Sequence, residues 1–383
     1  MKRIAIITAT RAEYGQLFPL IRTVADDEEL DLDLIVTGTH LSEKHGHTLD
    51  AIRADGYEIA HTVPILDEDN GPYGISATMA NAMKGFAKCF SEDRPDIAVI
   101  LGDRTEMLSV AAAALNERIP IAHIHGGEVT FGAVDDCIRH AITKMSILHF
   151  TSTSAYRKRV IQLGESPDRV FSVGALSVDN IRTQELMSGD EVRADIGIPS
   201  GGKYAVVTFH PVTMEDDTVS DQIDELCAAM KLRDDIFFVI TGANADAGGN
   251  TANQMLTGFA DGCENAVFIH NLGMKRYLSS VRHAAFVLGN SSSGILEAPV
   301  LGTPSVNIGD RQKGRIMAET VISCESGREA IGQAMAKALA TEHRQSDIYG
   351  DGHAAEAIVK IIKQSLSDGI SLKKGFYDIK ESR

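Results

Sequence analysis

The chain has little of what marks most specialised classes. Its 383 residues include five cysteines, none in a Cys-x-x-Cys pair. That argues against a structural zinc site and for reduced thiols in a cytoplasmic protein. No apolar run approaches the roughly 20 residues of a membrane span. Positive charge is scarce: 37 Lys and Arg against 53 Asp and Glu leave a formal net charge of −16. General affinity for nucleic acid is therefore not expected, and an anionic ligand would need locally concentrated cations. Neither Gly-x-x-x-x-Gly-Lys-Ser/Thr nor Gly-x-Gly-x-x-Gly occurs. A bound nucleotide is thus expected as a substrate rather than as an ATP or NAD cofactor, and no cofactor is assigned. Tandem repeats and low-complexity tracts are also missing.

What is present is a regular alternation of apolar runs and helical periodicity, in a chain long enough for two domains. The run at 4–8 is too short for a signal peptide and passes straight into Arg11 and Glu13, so it reads as a first strand. Further strands are expected at 32–37, 60–64, 97–101, 119–124, 148–151 and 170–173, with helices at 16–24, 48–55, 75–92, 105–117 and 154–163. A polar break covers 178–203 and ends in Pro199-Ser-Gly-Gly202. The rhythm then restarts: strands at 204–209, 236–241, 266–269, 285–288 and 305–308, helices at 219–231, 251–260, 274–282 and 293–300. Strands that alternate with helices in this way predict parallel, doubly wound sheets. The expected class is α/β, with two Rossmann-like domains and a cleft between them, as in the glycosyltransferase-B architecture. Their expected bounds are 1–177 and 200–352, joined by a linker at 178–199. The C-terminal helix, roughly 353–383, is expected to return to the first domain.

The stretch from Asp96 to His140 holds the densest chemistry. Its two apolar runs lack alternation, as buried parallel strands do. Each ends in charge: Asp103 and Arg104 after the first, His123, His125 and Glu128 after the second. Open parallel sheets bind ligands off the carboxyl ends of their strands. Asp135, Asp136, Arg139 and His140 follow at helical spacing. Each group has a plainer reading: an i,i+4 ion pair for Asp135 and Arg139, solvated strand ends, satisfied histidines. Their density favours acid/base work on a polar substrate. A metal site would use the same acids and histidines, but the arginines would compete for the carboxylates, and no metal is assigned.

A second constellation is Leu288-Gly-Asn-Ser-Ser-Ser-Gly294 with Glu297, at an expected strand-to-helix junction. Such junctions expose backbone N–H groups to anions. The helix dipole adds about 0.3–2 kcal/mol for a phosphate, and Glu297 could accept from ribose hydroxyls. A simple Ser N-cap is the alternative, but three serines exceed what a cap needs. His210, Asn244, Asp246 and Arg311 sit at neighbouring strand ends, and Arg311 suits a diphosphate because guanidinium binds it bidentately. Together they point to a nucleotide.

These segments resemble the UDP-N-acetylglucosamine 2-epimerase family, in particular its hydrolysing branch that feeds sialic-acid synthesis. The motifs are Thr10-Arg-Ala-Glu-Tyr14, Leu101-Gly-Asp-Arg104, His123-Ile-His-Gly-Gly-Glu128, Asp135-Asp-Cys-Ile-Arg-His-Ala-Ile-Thr-Lys144, Phe209-His-Pro211, Gly289-Asn-Ser-Ser-Ser-Gly294 with Glu297, and Ile308-Gly-Asp-Arg-Gln312. The resemblance covers nearly the whole chain. Non-hydrolysing epimerases carry a single Glu before Ala-Gly-Leu-Arg where this chain has His125-Gly-Gly-Glu128. The family implies that UDP-N-acetylglucosamine loses UDP by elimination to a glycal, which is hydrated to N-acetylmannosamine. It implies that Asp103, Glu128, Asp135, Arg139 and His125 act at the sugar. It likewise implies that Arg11, Arg104, His210, Asn244, Asp246, Ser291, Ser292, Glu297 and Arg311 hold UDP. Two departures bear on this. In the animal bifunctional relatives Glu stands at the position of His125, so that residue's role does not carry over. One extra residue also separates Glu128 from Asp135. The chain lacks the kinase domain of those relatives, which implies a stand-alone enzyme, and the family implies a homodimer or homotetramer. The same motifs fit an enzyme for UDP-2,4-diacetamido-2,4,6-trideoxyglucose, and a sugar-nucleotide-binding protein or glycosyltransferase remains the alternative of another class.

Overall fold

The computed structural model describes residues 1–69, 71–129, 134–211, 219–243 and 249–379, with the His45 side chain left aside. The chain divides into two compact units: residues 1–180 with 349–383, and residues 181–348.

The first unit begins β1 (Lys2–Thr8), α1 (Arg11–Ala25), β2 (Leu30–Thr37), α2 (Leu49–Ala54), β3 (His61–Val63) and α3 (Pro72–Glu92). It continues β4 (Ile97–Leu101), α4 (Thr105–Asn116), β5 (Ile121–Ile124), α5 (Val134–Met145), β6 (Leu148–Thr151), α6 (Ser154–Gln162), β7 (Val170–Ser172) and α7 (Leu176–Thr183). Its sheet runs β3-β2-β1-β4-β5-β6-β7, and every pairing is parallel. The central strands are apolar throughout because both faces are covered. Ile4, Ile6, Val99 and Ile124 pack under α1 and the C-terminal helix. Ala5, Ile7, Ala98 and Ile100 face the layer of α3, α4 and α5.

The second unit contains α8 (Gly189–Ile196), β8 (Lys203–Thr208), α9 (Val219–Lys231), β9 (Ile236–Thr241), α10 (Gly249–Asp261), β10 (Ala266–Ile269) and α11 (Gly273–His283). There follow β11 (Phe286–Gly289), α12 (Ser293–Leu301), β12 (Ser305–Ile308), β13 (Val321–Cys324) and α13 (Arg328–Ala340). Its parallel sheet runs β10-β9-β8-β11-β12-β13. The final helix, α14 (Ala354–Asp368), belongs to the first unit. There the buried Asp179 carboxylate accepts the backbone N–H groups of Ala354 (3.1 Å) and Ala355 (2.8 Å), neutralising the positive helix start.

Residues 178–199 are not a linker. They form the end of α7 and all of α8, and Val192, Ile196 and Ile198 enter the core of the second unit with Tyr204 and Val206. A Ser188/Glu191 capping box opens α8, and Gly197, at φ 81°, closes it. No described helix is long and apolar enough to cross a membrane.

Candidate active site

Each sheet has one place where consecutive connections leave in opposite directions. In the first unit β1 and β4 are neighbours, while α1 covers one face and α4 the other. In the second unit β8 and β11 are neighbours, with α9 on one face and α12 on the other. The carboxyl ends at such switch points open a crevice that suits a ligand. The sequence-selected residues that the structure describes gather at these two places.

In the first unit the hub is Arg139 on α5, whose side chain is only 3% exposed. Nη2 donates to Asp103 on the loop after β4. Nη1 donates to Asp136 Oδ1 (3.0 Å) and to the Glu128 carbonyl (2.8 Å). One buried guanidinium thus ties the loops after β4 and β5 to the helix that follows. The i,i+4 pair of Asp135 with Arg139 is replaced by the i,i+3 pair with Asp136. Asp135, on the first turn of α5, has its carboxyl pushed up by burial and then by the Asp103 charge.

Glu128 is held on its own side. Ser152 Oγ donates to its Oε1 at 2.7 Å, and His125 Nδ1 lies 3.9 Å from the same oxygen. His125 follows β5 with φ 65°, a left-handed conformation unusual outside glycine that marks functional loops. Gly127 must be glycine: φ is 79°, and a Cβ would stand 2.5 Å from the Tyr156 carbonyl. His123, by contrast, is structural. Fully buried, it points Nε2 at the Gly102 carbonyl (2.7 Å), and because a carbonyl only accepts, Nε2 carries the proton. Burial drives its pKa down to about 3. It therefore stays neutral and fixes the turn that presents Asp103.

Arg11 opens α1 and is exposed. Arg104, also in this unit, gives Nε to Glu106 Oε1 at 2.6 Å. Between these arginines in sequence is a residue that the sequence reading left out of the site, Glu13. Its Oε2 accepts from the Ala9 backbone (3.1 Å) and Thr10 Oγ1 (3.2 Å), while buried Oε1 has no hydrogen-bond partner among the described residues. Burial pushes this carboxyl up to about 7; Arg104 opposes the shift and Glu106 adds to it. Ser152 and Glu106 were also passed over. A Ser or Glu at a strand or helix end carries no mark in sequence of the contact it will make.

In the second unit the organising residue is Asn290, buried just beyond β11. It exchanges two 2.7 Å bonds with the His210 backbone, accepting from N and donating to O. Its carbonyl accepts from Arg311 Nη1 (3.1 Å) and Gln312 Nε2 (2.9 Å). The loops after β8, β11 and β12 are thereby locked together. Gly289 allows it: at φ 136°, a Cβ would sit 1.9 Å from the Thr208 carbonyl. Ser292 stands at the N-cap of α12 without making a side-chain capping bond, so the plain cap reading fails there. Ser291 Oγ takes the Ser293 N–H at 3.4 Å. Glu297 lies one turn inside α12, with its carboxyl raised by burial. Asn244 and Asp246 lie outside the described residues. Among the described residues no group of three or more His, Cys, Asp or Glu is placed to hold a metal ion.

Comparison with known proteins identifies the family and the fold. A polysialic acid biosynthesis protein, P7, from Escherichia coli is 37% identical over 389 residues, covering 100% of this chain and 98% of that protein. A GDP/UDP-N,N'-diacetylbacillosamine 2-epimerase (hydrolyzing) from Campylobacter jejuni is 37% identical over 346 residues, 90% of this chain and 89% of that protein. The crystal structure of the Neisseria meningitidis UDP-GlcNAc 2-epimerase bound to UDP-GlcNAc superposes with a TM-score of 0.79 at 16% identity, covering 95% of this chain and 100% of that one. It has the same fold of two parallel α/β units. The UDP-N-acetylglucosamine 2-epimerase family profile matches residues 22–363, and with these relatives it establishes that the chain belongs to the UDP-N-acetylglucosamine 2-epimerase family.

Proposed function

We propose that the protein is a hydrolysing 2-epimerase that converts UDP-N-acetylglucosamine and water to N-acetylmannosamine and UDP, for sialic-acid synthesis. The observation that carries this reading is the Arg139 hub, which holds Asp103 and the Glu128 backbone at one switch point beside Asp135.

The reaction breaks the sugar C2–H and C1–O bonds, releasing UDP and leaving a glycal; water then adds across the double bond. The C2 proton is weakly acidic, so a positioned carboxylate contributes about 10²–10⁴-fold. Asp103 and Glu128 supply that function, oriented by Arg139 and Ser152. Asp135, whose proton is favoured by burial and by Asp103, serves as the acid. His125 and Arg139 complete the catalytic set. UDP leaves as an anion and is bound by Arg11, Arg104, His210, Asn244, Asp246, Ser291, Ser292, Glu297 and Arg311, with arginine and helix-end donors stabilising the charge. On this reading the enzyme works in the cytoplasm as a homodimer or homotetramer.

Incubation with UDP-N-acetylglucosamine alone tests the reading. Free UDP with N-acetylmannosamine supports it. UDP-N-acetylmannosamine indicates a non-hydrolysing epimerase, and unchanged substrate a binding protein or transferase. Asp103→Asn and Glu128→Gln should lose most turnover yet keep UDP affinity by calorimetry; near-normal rates in either would remove that residue. Arg311→Ala should mainly weaken UDP binding, and unchanged affinity would take it out of the site.

One observation favours a second reading. The Campylobacter protein, at the same 37% identity, is named for UDP- or GDP-linked N,N'-diacetylbacillosamine. A higher kcat/KM on the diacetamido-trideoxy sugar than on UDP-N-acetylglucosamine would select this substrate with the same chemistry.

A further inference from the structure

We propose that the first unit carries a second binding site, for an organic anion with an apolar body, at the end of the sheet opposite Asp103. A cavity of about 800 Å³ lies there, beside the amino ends of β5 and β6 and beneath the C-terminal segment 372–375. That volume falls within the range of small-molecule pockets, roughly 300–1,000 Å³. Its lining contains four cationic side chains, Arg118, Lys144, Lys373 and Lys374, and no acidic one. In a chain of net charge −16 this is a local reversal of sign. The rest of the lining is mainly aliphatic, with Ile119, Met145 and Leu372 among it. A free inorganic anion would leave that floor uncovered; an amphipathic anion would cover it.

Three features show that the site is built rather than incidental. The first is Arg118, which follows the C-cap of α4 with φ 55° and donates its backbone N–H to the Leu115 carbonyl. Glycine is the usual residue there, and a side chain costs about 1–2 kcal/mol. A cation held in that conformation is a backbone outlier of the kind that marks function. The second is the roof, which is fastened. Lys374 Nζ donates to Glu165 Oε2 (2.8 Å) and the Ser146 carbonyl (2.7 Å). Beyond it, Tyr377 N–H bonds the Gly164 carbonyl at 2.9 Å, and Lys144 Nζ stands 5.1 Å from the Phe376 ring centroid. The third is that cations exceed their partners. Buried Glu165, behind the lining, is shared by Lys144 and Lys374, so two of the lining cations divide one negative charge. An oxyanion in the cavity beside Arg118, Lys144, Lys373 and Lys374 supplies the missing negative charge.

The test is calorimetric titration of the full chain with octanoate, octylamine and inorganic phosphate. Octanoate should bind, octylamine should give no heat, and phosphate should bind about tenfold or more weaker than octanoate. Arg118→Gly with Lys373→Gln should weaken octanoate about tenfold or more, leaving turnover and unfolding temperature unchanged or the latter raised. Glycine suits the backbone at 118, so this variant does not fail for want of folding. No octanoate binding, equal binding of octanoate and octylamine, phosphate binding as tightly as octanoate, or unchanged octanoate affinity in the double variant would each overturn the proposal.

Discussion

Arg139 serves two carboxylates and a carbonyl from a buried position, and lysine cannot reproduce this. An ammonium is a point charge on a flexible stem, whereas the guanidinium holds two partners at a fixed angle. Arg139→Lys should therefore lower kcat by about a hundredfold or more and stability by about 1–3 kcal/mol, read by UDP release and by thermal unfolding. Glu13 leads to a pH prediction. Its folded-state value, about 7, lies above the roughly 4.3 of an unfolded glutamate. Between those values the native state holds the extra proton, so stability falls as pH rises through that window. Glu13→Gln should flatten the decline, as followed by denaturant unfolding from pH 4 to pH 8; an unchanged slope would assign it to other groups. At this scale the gathering of Asp103, Glu128, Asp135 and Arg139 was legible, because motif and strand-end position agree, while their catalytic roles remain the proposal. The choice of Asp136 over Asp135 as Arg139's partner was not. Adjacent acids look alike in sequence, and only helix phase, set by buried Ile138 and Ile142, separates them.

Elements place these side chains, and the switch points are the decisive feature. The parallel strands were readable as apolar runs. Their order was not, since nothing local in Ile4–Thr8 says that β4 rather than β3 will be its neighbour. Asn290 and Gly289 show the consequence: their importance follows from β11 lying against β8, a pairing between segments some 80 residues apart. Gly289→Ala should cost about 2 kcal/mol or more, because its methyl would overlap the Thr208 carbonyl, and should weaken UDP binding together with the melting temperature. The segment at 178–199 was misread for another reason. Its polar composition hid Val192 and Ile196, although Ser188, Glu191 and Gly197 already spelled a capped helix. Ser188→Ala should cost about 1 kcal/mol, seen as a lowered midpoint of unfolding, and leave UDP affinity unchanged.

Over the whole molecule, a net charge of −16 must coexist with the anionic substrate proposed for it. The proposed site does so through few, local cations: Arg11, Arg104 and Arg139 in the first unit and Arg311 in the second. Because Arg11 is exposed and Arg104 only partly covered, added salt should raise the KM for UDP-sugar more than it lowers kcat. Equal effects on both would argue that buried groups dominate binding. The central claim is that carboxylates gathered at the ends of β4 and β5 take the sugar C2 proton and that water replaces UDP. Its most direct test is to run the reaction with UDP-N-acetylglucosamine in heavy water and follow it by NMR. The account predicts free UDP and N-acetylmannosamine bearing deuterium at C2; a product that keeps its original C2 hydrogen, or one still linked to UDP, would contradict it.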